Sequence, residues 1–499
     1  MMAMTAAQCM DLLIEAGLYL SGALYDSETA VTSVTYDSKE ATDGTLFFCK
    51  GAAFKTEYLM EAVRRGAVCY VSETAYPEAL CSYLIVSDVR RAMAVLGAAF
   101  YGHADRALDL IGITGTKGKS TTAYYIKYIL DEYAAQNGEK PCGIVSSIDT
   151  YDGKIFEESH LTTPEALVLH HHFANARDCG ISRFVMEVSS QALKYDRVLG
   201  VSYRSGVFLN ISEDHISPVE HRDFEDYFSS KLKLFAQSET AYINTDCDFA
   251  ARIAEAAGAS GRVVTFGQNE QADFYGYNVR KEEGEIRFRV RCAQFDVPFA
   301  LTMPGLFNVE NALAAIAVGR DMGGDPSVIS AALEHLVVPG RADVMDGAGL
   351  KVFINYMHNG ISCQAVLKAL KKDYPGKFVT VVIGVAGQRS PARIQGVGEA
   401  CGKYADRVFF SADDPDLEDP RDIDIRLAHA AADGKAEIII EPDRTIAVER
   451  ALREAPVGSV VVLGGKGSED TQRVNGEYVY YESDPAIAKR ILAELEKQR

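Results

Sequence analysis

The chain lacks several features that would settle its class at once. No two of its ten cysteines form a C-x-x-C pair, so neither a zinc site nor a dithiol redox centre finds its usual ligand spacing. Cys9, Cys49, Cys69, Cys81, Cys142, Cys179, Cys247, Cys292, Cys363 and Cys401 are scattered singly. In a chain of 499 residues that pattern predicts buried thiols in a reducing compartment, and a cytoplasmic location is expected. No uncharged apolar run reaches the ~18 residues of a spanning helix. The N-terminal stretch MMAMTAAQCMDLLIEAGLYL has no basic flank, and Asp11 and Glu15 interrupt it. It predicts an amphipathic helix rather than a leader, and no membrane insertion is expected. Positive charge is in deficit, with 51 Lys and Arg against 70 Asp and Glu, a formal charge of −19. A nucleic acid would be repelled by that balance, whereas a small anion feels only the local field of its pocket. Internal repeats and low-complexity tracts are absent as well. Nothing here sets the oligomeric state, and a monomer is compatible with all of it.

What is present is ordinary globular material, 47% hydrophobic and 24% charged. The length is too great for one core, and at ~100–200 residues per domain it predicts two to four. GTLFFCKG reads as a strand bounded by glycines, and EYLMEAVRRGAVCYVSE as a helix running into a strand. From DLIGITG onward, apolar strands such as RFVMEVSS and GVFLNIS alternate with helical stretches, the pattern of a mostly parallel α/β sheet. Residues 262–303 alternate with period two and predict an antiparallel insertion. VPGRAD, Val338 to Asp343, reads as a linker. Beyond it KVFINY, FVTVVIGV, RVFFSAD, EIIIEP and SVVVLGGKG predict a separate Rossmann-like unit.

The stretch GITGTKGKSTTAYY carries the first chemistry. Ile113 stands where the common phosphate loop has its first glycine. Even so, a buried strand leads into Gly115-Thr116-Lys117-Gly118-Lys119-Ser120-Thr121, and a helix follows, which is the context such a loop needs. Glycines let backbone N–H groups approach phosphates, and the helix N-terminus adds positive potential. Lys119 can reach the β- and γ-phosphates and Ser120 can ligate Mg²⁺. The plain alternative is a glycine-rich turn with a surface lysine.

The shortened form T-G-T-x-G-K-[ST]-T resembles the ATP loop of the Mur ligase family, which includes folylpolyglutamate synthetases. VTYDSKEATDGTLFFCKG, HLTTPEAL, VMEVSSQALKYDRV, FLNISEDHI, YFSSKLKLF, GLFNVENALAA, VPGRADVM, NYMHNG and GGKGSED follow in the order of its MurE branch. The resemblance covers nearly the whole chain. It implies a three-domain α/β architecture: residues 1–106 as a UDP-binding domain, 107–338 as a central P-loop ATPase-like domain and 339–499 as a Rossmann-like amino-acid-binding domain. The implied activity is an ATP-dependent ligase of peptidoglycan synthesis. It would join an amino acid to UDP-N-acetylmuramoyl-L-Ala-D-Glu through an acyl-phosphate.

The same resemblance assigns roles. Glu187 would ligate Mg²⁺ and His215 a second Mg²⁺, and Lys231 would be carbamylated by CO₂. Asn308 and Arg341 match ATP contacts. Ser38, Lys50, Gly51, Thr162, Thr163, Ser190 and Arg197 match positions that hold the UDP-muramoyl peptide. Arg389 would pair with the incoming α-carboxylate, with Gly465 beside it and Glu469 near the α-amine.

The match frays in the last domain. Diaminopimelate-adding members carry D-N-P-R where this chain has Asp413-Asp414-Pro415-Asp416. A carboxylate in place of the arginine would repel the distal carboxylate of diaminopimelate, and an acidic loop suits a side-chain ammonium. Lysine, or else ornithine, is therefore the expected substrate. Ser390, Ser468 and Asn355 also depart from the family's usual aspartate, histidine and aspartate. A diaminopimelate ligase with an unusual loop, another amide ligase of the same fold, and a silent precursor-binding paralogue are the alternatives.

Overall fold

The computed structural model describes residues 4–498 except 52–53, 160, 218–219, 283–284, 304, 337, 340, 389–390 and 412. Three sheets occupy three successive stretches of chain. The first has five strands in the order Tyr19–Ala23, Ser82–Val86, Ala67–Ser72, Thr45–Phe48, Ser33–Thr35. Thr45–Phe48 is buried throughout, as its glycine-bounded apolar run predicts. The N-terminal amphipathic helix forms over Ala6–Glu15, opened by Thr5 in a capping box with Gln8. It lays Cys9 and Leu13 into that domain's core.

The central sheet has eleven strands. Asp109–Thr114 lies between the parallel strands Arg183–Glu187 and Tyr203–Phe208. The chain first crosses to one side of it and later to the other. That is a topological switch point, where open α/β sheets bind ligands beyond the carboxyl ends of their strands. Residues 262–303 are not a detached insertion. Arg262–Gly267 continues the parallel sheet against Ser238–Asn244. Only Phe274–Glu282, Glu285–Arg291 and Asp296–Leu301 run antiparallel to one another, extending the same sheet.

The last sheet has six strands, five of them parallel. Its antiparallel edge corrects the linker reading: Arg341–Gly347 is a strand paired with Leu350–Asn355. The Pro-Gly pair signals a break, but the strand starts directly after it. The three-domain α/β architecture, with mostly parallel sheets in the second and third units, stands. Among the described residues no helix is long and apolar enough to cross a membrane. All ten thiols are free, and seven are buried.

Candidate active site

One cleft of about 620 Å³ is lined at one end by the phosphate loop and at the other by the last domain. At the loop end, Gly118 has φ 84°, and a side chain there would drive a Cβ to 2.2 Å from Asn311 Oδ1. Glycine is thus required both by backbone conformation and by space. It opens the helix Lys119–Asn137. The Lys117 backbone N–H donates to Asn210 Oδ1 at 2.9 Å, and Asn210 Nδ2 donates back to Lys117 O at 3.1 Å. The Thr116 hydroxyl meets the Tyr227 hydroxyl at 3.0 Å.

Two lysines converge on a single carbonyl. Lys119 Nζ donates to Gly115 O at 3.1 Å and Lys231 Nζ to the same oxygen at 2.9 Å. Lys231 is 2% exposed. Burial, and next the Lys119 charge, hold its amine well below the usual lysine range. The Lys119 ammonium beside it disfavours a second positive charge there.

Glu187 ends its strand 1% exposed. Its Oε1 accepts from the Ser147 backbone N–H at 2.7 Å, and the Ser147 hydroxyl lies 3.0 Å from that of Ser120. His215 adopts φ 58°, an uncommon conformation for a non-glycine residue. Its Nδ1 is 3.0 Å from Glu220 Oε1. That bond suits a tautomer with Nε2 available to a ligand. Burial holds the imidazole below its ordinary range, against the pull of Glu220. Among the described residues no three His, Cys, Asp or Glu side chains cluster as an all-protein metal cage. A hydroxyl, a carboxylate and an imidazole near a phosphate loop instead suit Mg²⁺, which keeps waters and shares phosphate oxygens.

The expected precursor residues join the first two domains. Glu165 receives Lys50 Nζ at 3.0 Å and Arg197 at 3.0 Å. Lys50 also lies over the Tyr36 ring. Arg197 donates to Thr163 O, and the Thr163 hydroxyl donates to Glu187 O. Thr162 lines the cleft beside Thr163. Ser190 is buried against His221 Nε2 at 3.0 Å. Ser38 is buried too and donates to Glu61, and Gly51 turns at φ 98°. Asn308 starts the helix Asn308–Asp321 and accepts from Asn311, the residue behind Gly118. Arg389 lies outside the described residues. Arg341 opens its strand, but its side chain is likewise outside them.

At the far end, Lys466 is 1% exposed and bridges Asp414 at 2.9 Å and Glu469 at 2.7 Å. Burial works against its charge, but Asp413, Glu469 and Asp414 outweigh it and keep the ammonium protonated. Asp413 is buried beside Gly465, and burial, then Asp414, push its carboxyl up to about 7. Asp416 differs from the sequence expectation. It lines the cleft at φ 51°, but its Oδ1 accepts from Gly476 N at 2.8 Å and lies 3.5 Å from Arg473 Nε. Its backbone also knits to Arg473 and Asn475. Much of its charge therefore fastens the hairpin of Thr471–Val474 and Glu477–Tyr480.

Asp214, Glu165, Glu220 and Lys466 also line or brace this site without a role expected from the sequence, although Asp214, Glu165 and Lys466 lie within FLNISEDHI, HLTTPEAL and GGKGSED. Glu469 beside Lys466 and His215 beside Glu220 are local partners, and the other charge-pair partners come from distant elements.

A model of the Mur ligase middle domain matches residues 113–319, and one of the Mur ligase glutamate ligase domain matches 340–467. A UDP-N-acetylmuramyl-tripeptide synthetase of Lactobacillus delbrueckii subsp. bulgaricus is 36% identical over 98% of this chain and 99% of its own. The chain belongs to the Mur ligase family. Also similar is a UDP-N-acetylmuramoyl-L-alanyl-D-glutamate–L-lysine ligase of Enterococcus faecalis, 36% identical over 93% of this chain and 92% of its own. Solved Mur ligase folds superpose at lower identity. A UDP-N-acetylmuramoyl-L-alanyl-D-glutamate–2,6-diaminopimelate ligase gives TM-score 0.65 at 22% identity, covering 99% of both chains. The MurF ligase of Thermotoga maritima in complex with ADP gives 0.63 at 19%, covering 94% of this chain and 99% of that one. These last two speak to the fold of this Mur ligase alone.

Proposed function

We propose that this Mur ligase adds L-lysine to UDP-N-acetylmuramoyl-L-Ala-D-Glu, with ATP and Mg²⁺. The observation that carries the reading is the cleft with a phosphate loop at one end and a lysine-bridged acidic cluster at the other. The relatives named as lysine ligases, from Enterococcus faecalis and Streptococcus thermophilus, support the amino acid. A cytoplasmic location accords with a nucleotide-linked substrate.

The loop N–H groups and Lys119 would hold the triphosphate, and Ser120, Glu187 and His215 would hold Mg²⁺. The metal would offset charge on the phosphoryl oxygens. The substrate carboxylate attacks the γ-phosphorus, an acyl-phosphate forms and ADP leaves. The lysine α-amine then attacks the acyl carbon, loses a proton and expels phosphate. Moving Lys119 onto the phosphates would remove it from Gly115 O, which it shares with Lys231.

Lys231 suits carbamylation. Its amine, in the neutral form that burial favours, can attack CO₂, forming an N–C bond and releasing a proton, and the resulting anion would face the Lys119 ammonium with opposite charge. Thr162, Thr163, Ser190 and Arg197 would hold the muramoyl peptide, and Ser38, Lys50 and Gly51 the UDP. Arg389 would anchor the α-carboxylate. Asp413, Asp414 and Glu469 would face the two amino groups, with Asp416 contributing less than its charge suggests. The test is product mass after incubation with the precursor, ATP and single amino acids. A lysine adduct with stoichiometric ADP is expected; ATP-independent precursor binding without product would mark a silent paralogue.

A further inference from the structure

The loop that carries His215 also carries Asp214, a carboxylate that no step above uses and that is saturated with donors from two domains. Its Oδ2 lies 3.1 Å from Lys117 Nζ of the phosphate loop and accepts from Asn359 Nδ2 at 3.2 Å. Its Oδ1 accepts from Arg393 at 2.9 Å and from the His215 backbone N–H at 2.9 Å. The Asp214 and Arg393 side chains are each only 9% exposed. Asn359 and Arg393 both belong to the last domain. Asn359 caps the helix Gly360–Asp373 with its oxygen, which leaves its amide nitrogen for Asp214. Arg393 sits in the first turn of Pro391–Tyr404. The two helices meet at Gly360 and Gly396, where a Cβ on Gly360 would come within 2.7 Å of the Gly396 backbone. That close approach sets both donors on one target.

We propose that Asp214, Arg393 and Asn359 are positioning residues that couple docking of the last domain to completion of the phosphate site, an inference that rests on the ligase reading. With the last domain away, Asp214 keeps Lys117 as its side-chain counter-ion, and that ammonium is held back from the anionic triphosphate. Docking brings Arg393 and Asn359 to Asp214. With those two donors in place the carboxylate stays satisfied when Lys117, still 3.1 Å from it in this structure, turns to the phosphates of bound nucleotide. The same carboxylate fixes the His215 backbone in its left-handed conformation, which needs such support.

The experiment is a double-substitution cycle on the full-length enzyme, with kcat measured at saturating precursor, lysine and Mg·ATP. Small-angle scattering is recorded with the precursor and a non-hydrolysable ATP analogue. Arg393→Ala should lower kcat about 10²-fold, the usual scale for a misplaced charge on a transferring phosphate. Its thermal transition and affinity for the analogue should stay close to native, and it should fail to compact on ligand addition. Arg393→Lys should recover part of the rate. Asp214→Asn combined with Arg393→Ala should be no worse than the more impaired single variant, because one interaction is removed twice. A kcat for Arg393→Ala within about 3-fold of native, or losses that multiply in the double variant, would overturn the coupling. Should Arg393→Ala not fold, the Arg393→Lys and Asp214→Asn pair decides by the same rule. A native enzyme that makes no product sinks the ligase reading instead.

Discussion

The two ends of the cleft hold charge in different ways. At the phosphate end, Lys119 and Ser120 are fixed by short-range geometry, a strand, a glycine turn and a helix N-terminus, and Lys231 and Glu187 are brought to them from a distant helix and a neighbouring strand. Lys231 is buried and Glu187 is tied to a backbone N–H. At the other end, Asp413, Asp414 and Asp416 depend on Lys466 and on a hairpin whose contacts lie 59 and 60 residues further along the chain. That hairpin is half open to solvent, with Tyr480 81% exposed. Under the proposed function the first end serves phosphoryl transfer. The second can be retuned by changing a loop and what fastens it, as selectivity requires.

The largest effect should come from breaking the phosphate end. Lys119→Ala should lower kcat by ~10²-fold or more, since one preorganised charge on a transferring phosphoryl group is worth that much. Phosphate release near the native rate would remove the loop from the account. Lys231→Ala should be nearly as severe, with part of the activity restored by short-chain carboxylates that occupy the place of a carbamate. A carbon-13 spectrum of the active, nucleotide-bound enzyme that shows only free amine would exclude the modification.

At the other end the effects should be smaller and should fall on the amino acid. Asp413→Asn should raise the KM for lysine by about 10-fold, the worth of ~1.4 kcal/mol of lost charge pairing, and leave that for ATP unchanged. An unchanged lysine KM would shift recognition to Asp414 and Glu469. The same carboxyl gives a pH signature. With its pKa raised to about 7, Asp413 is ionised above that value and neutral below it. The KM for lysine should therefore rise as pH falls from about 8 to about 6, toward a plateau about 10-fold higher, and Asp413→Asn should flatten the profile. Asp416→Arg made together with Asp414→Asn should narrow a lysine preference of at least ~10-fold over diaminopimelate. Because Asp416 holds Gly476 and Asp414 holds the Arg473 N–H, thermal stability should fall as well, read from the melting curve. An unchanged selectivity ratio would take the loop out of substrate choice.

The same contrast explains what could be read from the sequence. The phosphate loop was legible because its strand, glycines and helix are consecutive, and the ordered motifs carried the family. Lys231 was legible as a puzzle, since an ammonium at its position would repel metal, but its burial against Gly115 O came only with the fold. Asp416 was not, because the groups that occupy it, Arg473 and Gly476, lie in another element. Asp214 stood inside a quoted motif, but its partners Lys117, Asn359 and Arg393 meet it only through the fold. The strand at Arg341–Gly347 was hidden behind a Pro-Gly signal that ends one element as the next begins.

The central claim is tested most directly by mass analysis of the product formed from UDP-N-acetylmuramoyl-L-Ala-D-Glu and ATP with lysine and diaminopimelate in equal competition. The account predicts the lysine adduct in at least ~10-fold excess, with one ADP per product. A diaminopimelate adduct in excess, or ATP left intact with every amino acid, would contradict it.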